Sequence, residues 1–190
     1  MWEHQFFVHK MYPHHASRGI AGAEERNTTS HSIRDAWQGT VCQMVSDGQR
    51  KGILIVDDSE SDIELLRGLF ASKDPDVMIS VATNEDAFLK LVETRRGHSS
   101  IPNVDIVMID FNMPRNDGVA VLKRFKSDPE LRKIPVIVFS GSESEKDIRQ
   151  AYELGANSYL VKPVAFDDLS RIVDLIIHFW LQSACLPNRK

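Results

Sequence analysis

This sequence of 190 residues has no long hydrophobic run, few cysteines and no excess of positive charge. No apolar run approaches the roughly 18 residues of a membrane span, and the amino terminus is too polar for a signal peptide. We therefore expect a cytoplasmic protein without a membrane partner. The two cysteines, Cys42 and Cys185, lie far apart, which argues against a disulfide framework and fits a reducing compartment. The net charge of −4 gives no general attraction to nucleic acid.

The first 50 residues show no sustained helical or strand periodicity, although the spacing of apolar residues allows a short helix from about Ser32 to Val45. Small polar residues are scattered through them, which is typical of a flexible segment. The pair His14 and His15 lacks a third ligand and is a weak candidate for a metal site. We predict a flexible N-terminal leader over residues 1–50. We also expect residues 1–43 to be dispensable for phosphorylation, with Met44 as an alternative start of the functional protein.

From Lys51 onward, apolar runs alternate with amphipathic helical patterns. The runs at Ile53–Val56 and Ile106–Ile109 contain no polar residue, which is typical of strands buried on both faces of a parallel sheet. Further elements are predicted as strands near Val77–Val81, Pro135–Phe139 and Ser158–Val161 and as a last helix from about Phe166 to Ser183. The alternation predicts an α/β fold, with a doubly wound five-stranded parallel sheet and helices on both of its faces.

Chemically useful side chains follow the predicted strands at their carboxyl ends. Asp57 and Asp58 follow the first strand, Asp110 the third, Ser140 lies at the end of the fourth, and Lys162 follows the fifth. Right-handed crossovers bring these strand ends to one edge of the sheet. Three carboxylates at such short distances repel one another, so a cation is expected among them. Because the ligands are oxygen atoms without histidine or cysteine, the residues favour Mg²⁺ over zinc. Mg²⁺ beside an ammonium and a hydroxyl would suit a phosphoryl group.

These residues and their neighbours resemble the response-regulator receiver domains of two-component signalling. The matching motifs, in chain order, are Asp57-Asp58, Asp110 with Met113-Pro114 and Asp117-Gly118, Ser140, and Lys162-Pro163. The resemblance covers about Lys51 to Leu186, so we predict a receiver domain over residues 51–186 and a tail over 187–190. It implies the flavodoxin-like strand order 2-1-3-4-5.

The resemblance also implies a phosphoacceptor and a metal site. Asp110 would take a phosphoryl group from the phosphohistidine of a sensor histidine kinase. Asp57, Asp58, Asp110 and the backbone carbonyl of Asn112 would hold Mg²⁺. The protein would then be no enzyme in the usual sense, since it would catalyse only its own phosphorylation and dephosphorylation.

Three further positions match residues that respond to the phosphoryl group in this family. Lys162 would pair with Asp110 and then with the phosphoryl oxygens. Ser140 would swing toward the phosphoryl group, and the rotamer of Tyr159 would follow Ser140. Ser140 stands where threonine is more usual in the family, so the hydroxyl is kept while a methyl group is lost.

The carboxyl-terminal segment indicates how such a signal would leave the protein. After Leu186 only residues 187–190 remain, so we expect output through protein–protein interaction. The last helix has more apolar residues than one face needs, including Phe179 and Trp180, which predicts a partner surface unless the leader covers it. We predict a homodimer through the fourth helix, fifth strand and fifth helix. The ending of the helix also resembles small response regulators that partner bacterial phytochromes, which implies a kinase of that type.

Other functions share parts of this pattern. A relay intermediate would pass its phosphoryl group on to a histidine phosphotransfer protein. A phosphatase of the haloacid dehalogenase type also uses an aspartate with Mg²⁺ and lysine, but it would want a second aspartate where this chain has Asn112. An interaction module that never takes phosphate is a further alternative, although all the acceptor groups are present.

Overall fold

The computed structural model describes residues 51–95 and 98–187, and the predicted leader over residues 1–50 lies outside these ranges. The described strands are β1 (Gly52–Val56), β2 (Met78–Ala82), β3 (Glu93–Arg95), β4 (His98–Ser100), β5 (Ile106–Ile109), β6 (Val136–Ser140) and β7 (Ser158–Val161). The described α-helices are α1 (Glu60–Lys73), α2 (Glu85–Leu91), α3 (Asp117–Ser127), α4 (Glu145–Glu153) and α5 (Phe166–Ile176), with a π-helix continuing α5 over Ile177–Ser183.

One parallel sheet carries the fold. Its strand order is β2-β1-β5-β6-β7, and every neighbouring pair is parallel. Counted among these five strands alone, the order is 2-1-3-4-5, which confirms the predicted doubly wound flavodoxin-like arrangement. Strands β1, β5 and β6 are buried along their whole length. This explains why their sequences lack the alternation of a strand with one face in water.

The two faces of the sheet bury separate hydrophobic clusters. Side chains of a strand point alternately to opposite faces, so Leu54 packs in one cluster and Ile53 in the other. The first cluster takes side chains from α2, α3 and α4, and it includes Phe88 and Phe125 with ring centroids 5.0 Å apart. The second takes side chains from α1 and α5, and it includes Phe70, which has no exposed surface. Helices therefore cover both faces, as predicted.

Two segments differ from the sequence-based prediction. Strands β3 and β4, which are not among the predicted strands, pair as an antiparallel ladder whose register joins Glu93 to Ser100. Three-residue strands without alternating apolar residues carry too little pattern to be recognised. The predicted last helix also changes character, because its final turns from Ile177 onward are π-helical.

The expectation of unpaired cysteines needs correction. Cys185 is disulfide-bonded, and the other cysteine of the sequence, Cys42, lies outside the described residues. Spacing along the chain does not by itself decide whether a cysteine is paired, because disulfide geometry depends on the distance between Cα atoms in space. Over the described ranges, no helix combines the length and the apolar character that crossing a membrane requires.

Candidate functional site

The carboxyl ends of neighbouring strands bring the predicted site residues together. In the sheet, Val56 of β1 pairs with Ile109 of β5, and Ser140 of β6 pairs with Val161 of β7. Since Ile109 also pairs with Val138 of β6, the carboxyl ends of these four strands lie along one edge of the sheet, with β6 and β7 extending two residues further. Side-chain hydrogen bonds then join the predicted group, namely Asp57, Asp110, Ser140 and Lys162.

Lys162 lies at the centre of this group. Its Nζ atom is 2.7 Å from Oδ2 of Asp57, 2.8 Å from Oδ2 of Asp110 and 2.8 Å from Oδ2 of Asp62. An ammonium has three N–H donors, and each donor has a carboxylate acceptor here. Burial alone would lower the pKa of Lys162, but the hydrogen bonds to the three carboxylates outweigh burial and raise this pKa above its usual value. The side chain therefore stays cationic.

Asp57 is the most deeply buried carboxylate of the site. Only 3% of its side chain is exposed. Its Oδ1 atom accepts a hydrogen bond from the backbone N–H of Ser59 at 2.9 Å, while Oδ2 faces Lys162. Burial raises the pKa of Asp57, and the hydrogen bonds from Lys162 and Ser59 oppose this rise. The ammonium is thus the main group that compensates a buried negative charge.

Asp110 has hydrogen bonds to both carboxylate oxygens. Oδ1 accepts from the hydroxyl of Ser140 at 3.0 Å and from the backbone N–H of Asn112 at 2.9 Å, while Oδ2 accepts from Lys162. The backbone N–H of Asp110 also donates to the carbonyl of Val56 at 2.8 Å. These contacts fix the carboxylate on a rigid strand end beside a hydroxyl and an ammonium.

Three carboxylates can approach a common cation. Asp57, Asp58 and Asp110 each offer one oxygen, and these oxygens lie within 4.8 Å of one another. Asp57 is buried while Asp58 is exposed, so one side of the group opens to solvent. An all-oxygen set with three negative charges fits a hard divalent ion. The backbone N–H of Asn112 faces Asp110, and the expected part of its carbonyl in the metal site stays a prediction.

The Asp117-Gly118 pair allows α3 to begin next to Asp110. A Cβ atom on Gly118 would lie 2.0 Å from the backbone oxygen of Asp110, so no other residue fits here without displacing the chain. The buried carboxylate of Asp117 accepts from the backbone N–H of Glu85 at 3.3 Å and from Arg115 Nη2 at 3.1 Å. Arg115 itself has a φ of 57°, a left-handed conformation that is uncommon outside glycine. The Asp117-Gly118 motif thus packs against the backbone of Asp110, the phosphoacceptor candidate.

Tyr159 connects the end of β6 with the middle of β7. Its side chain is half-buried, and its ring lies edge-on to Phe111 with centroids 6.5 Å apart. The hydroxyl donates to the carbonyl of Ser142 at 2.8 Å. Burial raises the pKa of this tyrosine. In the described state, Tyr159 is bound to the loop that follows Ser140, and its change of rotamer stays a prediction.

Sequence analysis missed Asp62 as a site residue. Its backbone N–H donates to Ser59 Oγ at 3.3 Å, so that Ser59 caps the start of α1. The carboxylate, however, reaches Lys162. The available signal was a pair of acidic residues, Glu60 and Asp62, in the first turn after β1. That signal does not tell which of the two faces the strand ends.

The two predicted interface residues differ in exposure. Phe179 is 58% exposed, whereas Trp180 is half-buried against the cluster beneath α1 and α5. Their rings meet edge to face with centroids 5.0 Å apart. Leu175, one helical turn before Phe179, is 68% exposed. Trp180 therefore supports an apolar surface that Phe179 and Leu175 present to solvent.

Known proteins share this fold and this sequence pattern. A family model described as the response regulator receiver domain matches residues 53–174. Response regulator Rcp1 from Synechocystis sp. is 32% identical over 137 residues, which span 72% of this chain and 93% of that protein.

Two solved structures are similar over the same region. The phosphorylated cyanobacterial phytochrome response regulator RcpA has a TM-score of 0.65 at 34% identity, covering 74% of this chain and 100% of that chain. The Mn²⁺-bound form of Rcp1 has a TM-score of 0.64 at 32% identity, covering 73% of this chain and 99% of that chain.

Proposed function

We propose a phosphorylation-dependent signalling function for this chain, which belongs to the response regulator receiver family. A sensor histidine kinase transfers a phosphoryl group to Asp110, and the phosphorylated protein signals by binding other proteins. The observation that carries this proposal is the environment of Asp110. Its carboxylate is held on a strand end between the hydroxyl of Ser140 and the ammonium of Lys162, next to two further carboxylates.

The transfer step uses groups that are already in contact. An oxygen of Asp110 attacks phosphorus, a P–O bond forms, and the P–N bond to the kinase histidine breaks. The imidazole leaves and takes a proton from solvent. Lys162 moves with the negative charge from the carboxylate to the phosphoryl oxygens, and the hydroxyl of Ser140 turns to donate to one of them. Attack by water later releases inorganic phosphate and restores the carboxylate of Asp110, so the protein acts on no other substrate.

Mg²⁺ is the metal that we assign to this site. Asp57, Asp58, Asp110 and the backbone carbonyl of Asn112 would hold it. When bound, the ion supplies positive charge to the phosphoryl oxygens, which the acidic edge of the sheet would otherwise repel. The Mn²⁺-bound structure of the relative Rcp1 supports a divalent ion in this family.

Ser140 and Tyr159 couple the site to the surface. When the hydroxyl of Ser140 leaves Asp110 for the phosphoryl group, the loop that follows β6 moves with it. The carbonyl of Ser142 in that loop accepts the hydroxyl of Tyr159 at 2.8 Å. Loss of this bond lets the ring of Tyr159 turn inward. The surface of α4, β7 and α5 then differs between the two states.

The partners follow from this surface and from the similar proteins. We propose a phytochrome-type kinase upstream, because RcpA is a phytochrome response regulator. We also propose a homodimer through α4, β7 and α5, with Phe179 at its apolar centre and Trp180 behind it. Residues 51–186 would act as a unit in both interactions, with residues 1–43 dispensable for phosphorylation.

Labelling with acetyl phosphate tests the phosphoacceptor directly. Parent protein with Mg²⁺ should incorporate label, and Asp110→Asn should abolish incorporation, because the amide is a poor nucleophile. Asp86→Asn is a matched control, since this aspartate is exposed in the first turn of α2 and is not among the carboxylates that surround Lys162. Full labelling of Asp110→Asn would refute the assignment.

A further inference from the structure

Asp62 makes a contact to Lys162 for which the proposed phosphoryl transfer has no use. We propose that Asp62 is a positioning residue that holds Lys162 toward α1, favours the metal ion and weakens retention of the phosphoryl group. This inference rests on the proposed function of Asp110. It assigns Asp62 the task of setting how long the phosphorylated state lasts.

The contact geometry separates Asp62 from the other two partners of Lys162. Asp57 and Asp110 extend from the ends of strands and are nearly buried, at 3% and 12% side-chain exposure. Asp62 comes from the first turn of α1, and its carboxylate is 41% exposed. Its backbone is fixed independently by the cap of Ser59. The backbone that carries this carboxylate therefore has a contact of its own, apart from Lys162 and Asp110.

Phosphorylation changes the demands on Lys162. Once Asp110 is an acyl phosphate, its negative charge lies on the terminal phosphoryl oxygens, and the ammonium must follow that charge. All three N–H donors of Lys162 are engaged in the described state. Asp62 is not modified by the transfer and so continues to attract the ammonium away from the phosphoryl group.

The charge of Asp62 acts in opposite directions on the two ligands. The site contains four carboxylates, Asp57, Asp58, Asp62 and Asp110, around the single ammonium of Lys162. A fourth negative charge attracts a divalent cation and repels a phosphoryl group. Removing it should therefore weaken metal binding while strengthening binding of a phosphoryl mimic. General damage to the site would weaken both, so the opposite signs identify a positioning role.

Asp62→Asn tests the inference with two probes. Calorimetry gives the Kd for Mg²⁺ alone, and titration with beryllofluoride at saturating Mg²⁺ gives the affinity for a phosphoryl mimic. A contact that is partly exposed to solvent changes such constants about two- to fivefold. We expect the Kd for Mg²⁺ to rise by this factor and the Kd for beryllofluoride to fall by it. The half-life of labelled Asp110 should lengthen.

Glu60→Gln is the matched control. Glu60 lies in the same first turn of α1 and has no side-chain hydrogen bond or ion pair among the described residues. Its substitution by glutamine removes the same charge from the protein as Asp62→Asn does. This variant should leave both constants within twofold of the parent. Asp62→Ala should reproduce the pattern of Asp62→Asn, which covers the case that one variant folds poorly.

The outcomes separate this inference from the function on which it rests. Parent protein that neither binds beryllofluoride nor accepts label from acetyl phosphate would overturn the proposed function and this inference together. A working parent with Asp62→Asn indistinguishable from Glu60→Gln would overturn this inference alone. If Asp62→Asn weakened the binding of both Mg²⁺ and beryllofluoride, this inference would also be overturned, because the contact would then be only structural.

Discussion

The carboxyl edge of the sheet and the outer surface of α5 differ in how their groups are satisfied. At the edge, each donor of Lys162 and both oxygens of Asp110 already have partners within the protein. On α5 and its π-helical extension, Leu175 and Phe179 present large apolar side chains to solvent. The hydrogen-bonding groups at the edge are therefore satisfied within the protein, and a change of charge at Asp110 would redistribute these bonds. The apolar side chains on the helix surface have no such cover from the described residues, which favours a role in binding a partner.

The difference predicts where single substitutions act. Changes at the edge alter the free energy of unfolding, because they leave buried charges without compensation. Changes on the exposed surface of α5 leave folding nearly intact and alter association instead.

Lys162→Ala should have the largest effect. It leaves the buried carboxylate of Asp57 without its ammonium, and breaking a buried ion pair from one side costs about 3 kcal/mol or more. We expect urea denaturation to show a loss of this size without metal. Millimolar Mg²⁺ should recover part of the loss, because a ligand that binds the folded state stabilises it.

Lys133→Ala is the control for this measurement. Its ammonium pairs with Glu130 at 2.7 Å, but both side chains are at least one-third exposed. Exposed pairs contribute about 1 kcal/mol or less. If the two lysine variants lost equal stability, or if Mg²⁺ recovered both alike, the edge would not be the compensated charge cluster described above.

Gly118→Ala should cost somewhat less but act on both folding and phosphorylation. The new Cβ would meet the backbone oxygen of Asp110 at 2.0 Å, and relieving such an overlap costs about 1–3 kcal/mol. The shift of the Asp110 loop should also reduce labelling by acetyl phosphate.

Gly68→Ala tests whether the effect of Gly118→Ala comes from this overlap. A Cβ on Gly68 has no neighbour within 4 Å, and the residue lies inside α1. Alanine there should stabilise the protein by about 0.5–1 kcal/mol, because glycine is a poor helix former. Unchanged labelling in Gly118→Ala would show that α3 can retreat without moving the phosphoacceptor.

The edge could be predicted from the sequence because strands fix it. An uninterrupted apolar run that ends in Asp110 reports a buried strand and the residue at its end together. Lys162 also follows a strand directly, although β7 contains Ser158 and is only half-buried. Parallel pairing then places these ends side by side, so no knowledge of side-chain packing was needed.

Other features depend on information that a periodic pattern does not carry. The direction of Asp62 follows from the rotation of α1 about its axis, which the pair Glu60 and Asp62 leaves undetermined. The antiparallel pairing of β3 and β4 comes from segments too short to show alternation. The disulfide of Cys185 depends on spatial approach rather than on spacing along the chain.

The smallest effect on folding should come from Phe179→Ala, and this variant defines the other side of the contrast. The ring is 58% exposed, so its removal should cost less than about 1 kcal/mol of unfolding free energy. Trp180→Ala should cost more, since Trp180 packs on the cluster beneath α1 and α5. For association the order should reverse, because Phe179 is the residue that a second copy would bury.

Sedimentation with Mg²⁺, with and without beryllofluoride, measures that association. We expect the parent to dimerise more strongly with the phosphoryl mimic, by a factor that corresponds to about 1–3 kcal/mol of coupling. Phe179→Ala should abolish most of this increase while melting close to the parent. A parent that stays monomeric in both conditions would refute the homodimer. A dimer that ignores Phe179→Ala but responds to Trp180→Ala would show that the buried indole, rather than the exposed ring, determines the contact surface.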